Sequence, residues 1–227
     1  MWTHLIALAL ADCMSGSLSV MPEVGSVVPP TPELVVHAYG TRRADLRELL
    51  DDDLVLRSAD GSEVPVTIVA RHRGSFSDLQ LVVRPGAPLP EGNVTLWVDG
   101  EALTVWHDGK HRPLRWRVGA ETEEPAWAGA PALKDTTREL MGCGPAVWAE
   151  VGVATEAPWV DVELSPEGGE TVSGRLPVEE GQVRIGHGMC SGMFELHEGV
   201  AYTAHLTAVG ADGQRVEAPR SVRFVAE

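Results

Sequence analysis

One stretch near the C-terminus, from Gly199 to Gly213, limits the possible folds of this chain more than any other. Polar residues such as Thr203, His205 and Thr207 alternate there with apolar ones, which are Val200, Tyr202, Ala204, Leu206 and Ala208. Alternation with a period of two predicts a strand with one buried face. The stretch 211–213, Ala-Asp-Gly, then predicts a turn. A chain organised around such a strand is expected to be β-rich.

The position of Tyr202 makes this strand similar to a strand of a known fold. It resembles strand F of immunoglobulin-like and fibronectin type III sandwiches, in which a Tyr near the strand start bonds its hydroxyl to the chain just upstream, the tyrosine corner. The resemblance implies an all-β sandwich and a structural role for Tyr202.

A second resemblance lies nearer the N-terminus. The segment 22–40 resembles the opening of bacterial Ig-like domains, in the style of periplasmic CopC-like domains, through Pro22, Gly25, Val28, Pro29 and Leu34. The pairing of 79–85 with 89–98, in which a loop with Pro and Gly leads into a long strand, resembles the same domains. Both imply that this part of the chain is also an Ig-like sandwich.

The length of 227 residues suits two sandwiches of about 100 residues each. Alternation predicts a hairpin over 54–70 around the turn 59–62, and Leu46, Leu49 and Leu50 predict a short helical turn. The acidic, Pro-containing stretch 120–131 is typical of a linker. We therefore predict two tandem immunoglobulin-like β-sandwiches, 22–119 and 132–227, after a signal-like segment and tether at 1–21.

The N-terminus predicts export. A short apolar run ends in Ala9-Leu10-Ala11, a pattern typical of a signal-peptide cleavage site, although no Lys or Arg precedes it. Alternatively, the stretch 10–13 resembles a lipobox with Cys13 as the lipidated residue, and Asp12 departs from the small residue that this motif has there. A disordered or strand-forming N-terminus is the third alternative. No run is long enough for a transmembrane helix.

The cysteines also bear on whether the protein is exported. Cys143 and Cys190 each lie beside a predicted strand and among glycines. In an exported protein this pair is expected to form a disulfide, which leaves Cys13 for removal or lipidation. Two buried free thiols in a cytosolic protein are the alternative.

The formal charge of −15 excludes classes of partner. Nucleic acid and anionic membrane surfaces would repel such a chain. We expect a protein or a glycan as the partner.

One segment could bind a metal. His187, Met189, Met193 and His197 place imidazoles and thioethers around Cys190, and soft ligands of this kind suit copper(I). CopC-like proteins bind copper with His and Met. The competing interpretation is that Cys190 is used in the disulfide while the methionines pack at a core edge.

Other candidate motifs favour structural interpretations. The stretch 107–111 holds two histidines but is typical of a hairpin tip. His197-Glu198 begins like a zinc-protease motif, yet Ala201 stands where the second His is required. The acidic run 51–53 lacks the further oxygen ligands of a calcium loop. Trp127 and Trp159 could present rings at the surface, but core packing is favoured for both.

The chain lacks a nucleophile elbow, a P-loop, a dinucleotide fingerprint and a C-x-x-C motif. We therefore expect a non-catalytic protein without a cofactor, secreted or held at the bacterial cell envelope, with a structural, adhesive or binding role. The alternative is a periplasmic copper carrier of the CopC-like kind that uses the segment 187–197.

Overall fold

The computed structural model describes residues 16–43, 46, 54–74, 78–107, 110–119, 122, 124–142 and 144–227. They form an all-β protein, as expected. In chain order the strands are β1 (Leu18–Met21), β2 (Val27–Val28), β3 (Leu34–Tyr39), β4 (Leu54–Ser58), β5 (Glu63–Arg73), β6 (Asp78–Pro85), β7 (Gly92–Val98), β8 (Glu101–Ala102), β9 (Thr104–His107), β10 (Lys110–Pro113), β11 (Arg115–Val118), β12 (Ala132–Met141), β13 (Gly144–Gly152), β14 (Trp159–Pro166), β15 (Val172–Pro177), β16 (Gln182–His187), β17 (Ala201–Val209), β18 (Arg215–Glu217) and β19 (Val222–Val225).

Strands β1–β11, together with the residues that connect them, make up what we call the first half. They form one large sheet, ordered β1-β3-β6-β5-β4-β7-β11-β2 with β8 beside β7, and a separate hairpin of β9 and β10. The long strand β5 joins two parts of the sheet, because its first residues pair with β4 and its later ones with β6. Buried residues of both parts form one core, for example Val36 and Leu81 on one side and Leu56 and Trp116 on the other.

Strands β12–β19, with their connections, make up the second half. Its sheets are β12-β13-β16 and β15-β14-β17-β18, and β19 pairs with the start of β17. The alternating apolar residues of both sheets meet in a second core, which includes Ala149, Ile185, Val162 and Leu206. Among the described residues, no strand of one half pairs with a strand of the other.

The strands that alternation predicts are present. The central strand is β17, and its Tyr202, Ala204, Leu206 and Ala208 are buried as the pattern requires. The hairpin over 54–70 is formed by β4 and β5. A second hairpin, β9 and β10, pairs positions 107 and 110, so the stretch 107–111 does belong to a hairpin, while its tip 108–109 lies outside the described residues.

Two segments need a closer description. Residues 18–21, expected within the tether, form the edge strand β1 because they pair with β3 and bury Val20. The predicted helical turn begins with a 3-10 helix at Gly40–Arg42, and Leu46 is helical and fully buried. Leu49 and Leu50 lie outside the described residues.

Several predictions fall outside the described residues altogether. These concern the signal-like segment with Ala9-Leu10-Ala11, the lipidation site Cys13, the acidic run 51–53 and the disulfide partner Cys143. Within the described ranges, no helix combines the length and the apolar character needed to cross a membrane.

The strand β6 lies where the two halves meet. Three of its residues, Leu79, Leu81 and Val83, face the first core, while Asp78 and Gln80 on the opposite face are also buried. A strand at a solvent-exposed sheet surface would leave that second face accessible. Here the second face packs against the second half, to which both Asp78 and Gln80 are hydrogen-bonded.

Candidate functional site: the interface between the two halves

The interface is centred on Arg175, a β15 residue whose side chain is completely buried. Its guanidinium binds both oxygens of Asp161 on the neighbouring strand β14, with Nε–Oδ1 and Nη2–Oδ2 distances of 2.6 and 2.9 Å. Its remaining nitrogen, Nη1, donates to Glu33 Oε2 of the first half at 2.7 Å. The planar fork of arginine matches such bidentate pairing. Arg175 therefore ties a carboxylate of each half to one cation.

Glu33, just before β3, is the matching anion and is also completely buried. Besides Arg175 it pairs with Arg84 of β6 and with Arg215 of β18, whose Nη2 lies 3.1 Å from Oε2. The Nε of Arg215 in turn lies 3.4 Å from Asp161 Oδ2. Burial acts to raise the pKa of Glu33, but Arg175, Arg215 and Arg84 outweigh it and hold that pKa below its usual range. The carboxylate therefore stays ionised between the halves.

The pKa of Arg175 is shifted in the opposite direction. Burial acts to lower its pKa, but the hydrogen bonds and charges of Asp161 and Glu33 outweigh burial and raise the pKa above the usual value for arginine. Two carboxylates and three guanidinium groups thus form one network with a buried centre, and its members compensate each other's desolvation.

The main chain of Arg175 is held as well. The Gln80 side chain accepts from the Arg175 N–H through Oε1 and donates through Nε2 to the Arg175 carbonyl, each at 2.9 Å. Since β15 is the edge strand of its sheet, one side-chain amide of the first half replaces a neighbouring strand for this residue. An unpaired buried peptide group is costly, so Gln80 satisfies a requirement that the strands of the second half leave open.

Asp78 makes a further link at the other end of β6. It is completely buried, and its Oδ1 lies 2.5 Å from His37 Nε2 on the adjacent strand β3. Its Oδ2 accepts from the backbone N–H of Gly192 in the second half at 2.7 Å. A main-chain hydrogen bond from the Glu33 N–H to the Ala211 carbonyl, 2.9 Å long, adds a contact through the turn after β17.

His72 of β5 lies beside the network. Its Nδ1 is 3.0 Å from Ser173 Oγ of β15, and its Nε2 is buried with no hydrogen-bond partner among the described residues. Burial lowers the pKa of His72, and the nearby charges of Arg175 and Arg215 lower it further against the opposing effect of Asp161. The imidazole is therefore neutral at pH 7, and protonating it would add a third cation beside two arginines.

Sequence reasoning missed this interface because its charges are far apart in the chain. Glu33 and Arg175 are separated by 142 positions, and isolated charged residues are usually at the surface. One signal was present: the stretch 79–83 of β6 reads Leu-Gln-Leu-Val-Val, too apolar for a strand with one solvent-exposed face. That run indicates burial on both faces, although it does not identify the partner.

Tyr202 lies at the start of β17 and is buried. Its hydroxyl accepts a hydrogen bond of 2.8 Å from the backbone N–H of His197, five residues upstream. Its ring stacks on Phe224 of β19 with the centroids 5.6 Å apart. This is the geometry of a tyrosine corner, which ties the loop before β17 to the sheet.

The four residues of the hypothetical copper site lie in different surroundings. His187 is buried at the end of β16, and its Nδ1 lies 2.9 Å from the Gly188 carbonyl oxygen. Met193 is buried in the second core, Met189 is half-buried, and His197 is exposed. In the described part of the chain, no group of three or more His, Cys, Asp and Glu residues is placed to hold a metal ion. Copper binding stays a prediction.

The disulfide also stays a prediction. Cys190 is half-buried, and Cys143 is outside the described residues. The strand β13 begins directly after Cys143 and pairs Val147 with His187, three positions before Cys190. The first residues of β13 therefore lie beside the last residues of β16.

The two candidate surface tryptophans are packed into the fold. Trp159 is buried, and Trp127 packs against the second core and donates its Nε1 hydrogen to the Val216 carbonyl at 2.9 Å. Trp127 also borders an open cleft of about 610 Å³ between the stretches 124–128 and 153–158. Core packing, the favoured interpretation, thus describes both rings.

No family model and no curated protein matches the chain. It is similar to the solved structure of latent PorU from Porphyromonas gingivalis, with 14% identity and a TM-score of 0.32 over 93% of this chain and 20% of that chain. For pullulanase from Anoxybacillus sp. LM18-11 the identity is 13% and the TM-score 0.27, over 90% of this chain and 25% of that chain. For the BSP domain of a biofilm-associated protein the identity is 12% and the TM-score 0.24, over 91% of this chain and 29% of that chain. The chain spans less than a third of each of these structures. Similarities at this level carry no functional conclusion.

Proposed function

We propose that this protein is a non-catalytic, exported pair of Ig-like β-sandwiches that acts as a rigid structural or adhesive unit at the bacterial cell envelope. The observation that carries the proposal is the network of Glu33, Asp161 and Arg175 between the halves. A tandem joined by a linker alone leaves its domains free to reorient. The buried pairs across the interface are satisfied in one relative orientation of the halves, so a small displacement would leave buried charges without their partners.

A rigid connection suits a spacing or presenting role. Surfaces on the far ends of the two halves stay at a fixed separation and orientation, which lowers the entropy lost when both engage a partner. The charged groups of the network are used in holding the halves together, and the carboxylates of Glu33 and Asp161 are both paired with guanidinium groups. We propose that their role is structural.

Rigidity can be measured by small-angle X-ray scattering of the full chain. We expect the curve calculated from one arrangement of the two halves to fit the data across the whole angular range. A curve that requires a mixture of compact and extended arrangements would contradict the rigid unit.

Export is tested separately by fractionating bacterial cells that express the full-length chain with its own N-terminus, followed by intact mass measurement. We expect the protein in the envelope or medium, with its N-terminus removed or lipidated and two hydrogens missing through a bond between Cys143 and Cys190. Unprocessed protein in the cytoplasm with free thiols would overturn the proposed location.

A further inference from the structure

The outer face of the first half carries arginines on neighbouring strands. On β4, β7 and β11 the buried residues alternate with outward ones, and pairing aligns Arg57, Thr95 and Arg115 in one row across the strands. Arg117 lies two residues further along β11, opposite Asn93. Neighbouring strands are about 4.8 Å apart and alternate residues about 7 Å apart. The three guanidinium groups therefore belong to one patch, which we call the arginine face.

Two of these arginines have no carboxylate opposite them. Arg57 is neutralised by Glu63, whose Oε1 lies 2.5 Å from its Nη2, and its guanidinium also stacks 3.7 Å from the centre of the Trp97 ring. Arg115 and Arg117 are exposed, and among the described residues no ion pair joins either of them to a carboxylate. The face therefore has an excess of positive charge.

This excess contrasts with the charge of the whole chain. Residues 22–119 hold 11 Lys and Arg against 14 Asp and Glu, whereas residues 120–227 hold 7 against 18. Most of the net charge of −15 thus belongs to the second half. At physiological ionic strength charges are screened beyond about 8 Å. A ligand lying on the arginine face would feel the local cations more strongly than the distant acidic half.

We propose that the arginine face binds a strand of acidic polysaccharide. Arg115 and Arg117 would pair with its carboxylates through their forked N–H groups. Asn93 and Thr95 lie beside the arginines on β7. The Thr95 Oγ1 accepts a hydrogen bond of 3.4 Å from Arg115 Nε, so its hydroxyl hydrogen and the Asn93 amide are the groups offered to the sugar hydroxyls. This inference rests on the proposed role at the cell envelope and names the partner class for that role.

The class of the ligand follows from the mixture of groups on the face. The guanidinium groups of Arg115 and Arg117 match carboxylates, and the amide and hydroxyl groups beside them match sugar hydroxyls. An acidic polysaccharide presents carboxylates and hydroxyls along one strand. The exposed Val27, which pairs with Arg117 at the patch edge, adds apolar surface for the sugar rings.

The test is titration calorimetry of the full-length protein with polygalacturonate at low and physiological salt. We expect binding that weakens with salt, and a loss of affinity of about tenfold or more in the double variant Arg115→Ala/Arg117→Ala. The matched control Arg220→Ala/Arg223→Ala removes two exposed arginines of the second half and should leave the affinity unchanged. Thermal melting checks that each variant is folded, and Arg115→Lys/Arg117→Lys should retain part of the affinity.

Further ligands show whether the carboxylates, the sugars or both are needed for binding. Fully methyl-esterified polygalacturonate keeps the sugars but lacks the charge, so equal binding would overturn the role of the arginines. Polyglutamate keeps the carboxylates on a peptide, and duplex DNA and anionic vesicles present other anions. Equal affinity for any of these would overturn the assignment to polysaccharide, as would an undiminished affinity of the Arg115/Arg117 double variant. If the protein is exported but polygalacturonate does not bind, this inference fails while the proposed function stands.

Discussion

Among single residues, Arg175 contributes most to the interface. Replacing it by Met keeps much of the side-chain volume but leaves Glu33 and Asp161 with fewer cations. Removing one partner of a buried ion pair costs about 3–5 kcal/mol. We expect Arg175→Met to lower the free energy of unfolding by that amount in urea titrations.

The matched control is Arg184→Met. Arg184 also pairs with a glutamate, Glu150 at 3.1 Å, but its side chain is 64% exposed. Exposed pairs contribute about 0–1 kcal/mol. Equal losses in the two variants would mean that the Arg175 network contributes no more than a surface ion pair.

His72 gives the interface a dependence on pH. Its pKa is lowered in the folded protein, so the unfolded chain takes up a proton first as the pH falls. This contribution to stability is therefore fully present above about pH 6.5, the usual His value, and is lost as the pH falls below it. We expect His72→Asn to reduce the slope of unfolding free energy against pH between about 5 and 7.

The control for this slope is His205→Asn on β17, because that imidazole is exposed in the folded protein. A slope that changes equally in both variants would contradict the assignment to His72.

At lower pH we expect a second loss of stability, caused by Glu33. The lowered pKa of Glu33 stabilises the fold fully above its usual value of 4.5, and this contribution disappears as the pH falls below it.

Among the strands, β17 depends on Tyr202. The change Tyr202→Phe removes one hydroxyl and leaves the His197 N–H without its partner, while the stacking on Phe224 is kept. We expect a loss of about 1–2 kcal/mol in the free energy of unfolding, measured in urea. Tyr39→Phe is the matched control, because the described residues offer the Tyr39 hydroxyl no hydrogen bond. An equal or larger loss at Tyr39 would contradict the role of the corner.

Alternation along the chain predicted those strands that have one buried face, such as β4, β14 and β17. It failed for β1, a four-residue edge strand after Ser and Gly, because a strand that short shows too few alternations. It gave no pattern for β12, since this edge strand is exposed along nearly its whole length. In β12 pairing with β13 determines the structure, and burial does not.

The interface could not be predicted in the same way. Asp78, Gln80 and Arg175 are polar residues on strands, where polar positions normally face water. Their burial depends on how the two halves meet, which is a property of the tertiary structure. The hydroxyl of Tyr202, in contrast, bonds to a group only five residues away, and this local contact was accessible from the sequence.

For the molecule as a whole, the buried network requires the two halves to behave as one unit. Their sheets and cores are separate, so each half alone could give its own unfolding transition. The contacts of Glu33, Gln80 and Asp78 with the second half make separation unfavourable. Unfolding of one half would exchange each of these contacts for contacts with water, at a net cost of about 0.5–1.5 kcal/mol for a hydrogen bond.

Differential scanning calorimetry of the full chain at pH 7 measures this coupling. We predict one transition whose calorimetric and van't Hoff enthalpies agree, as for a single cooperative unit. Two resolved transitions, unchanged in the Arg175→Met variant, would contradict the coupling of the halves through the buried ion network.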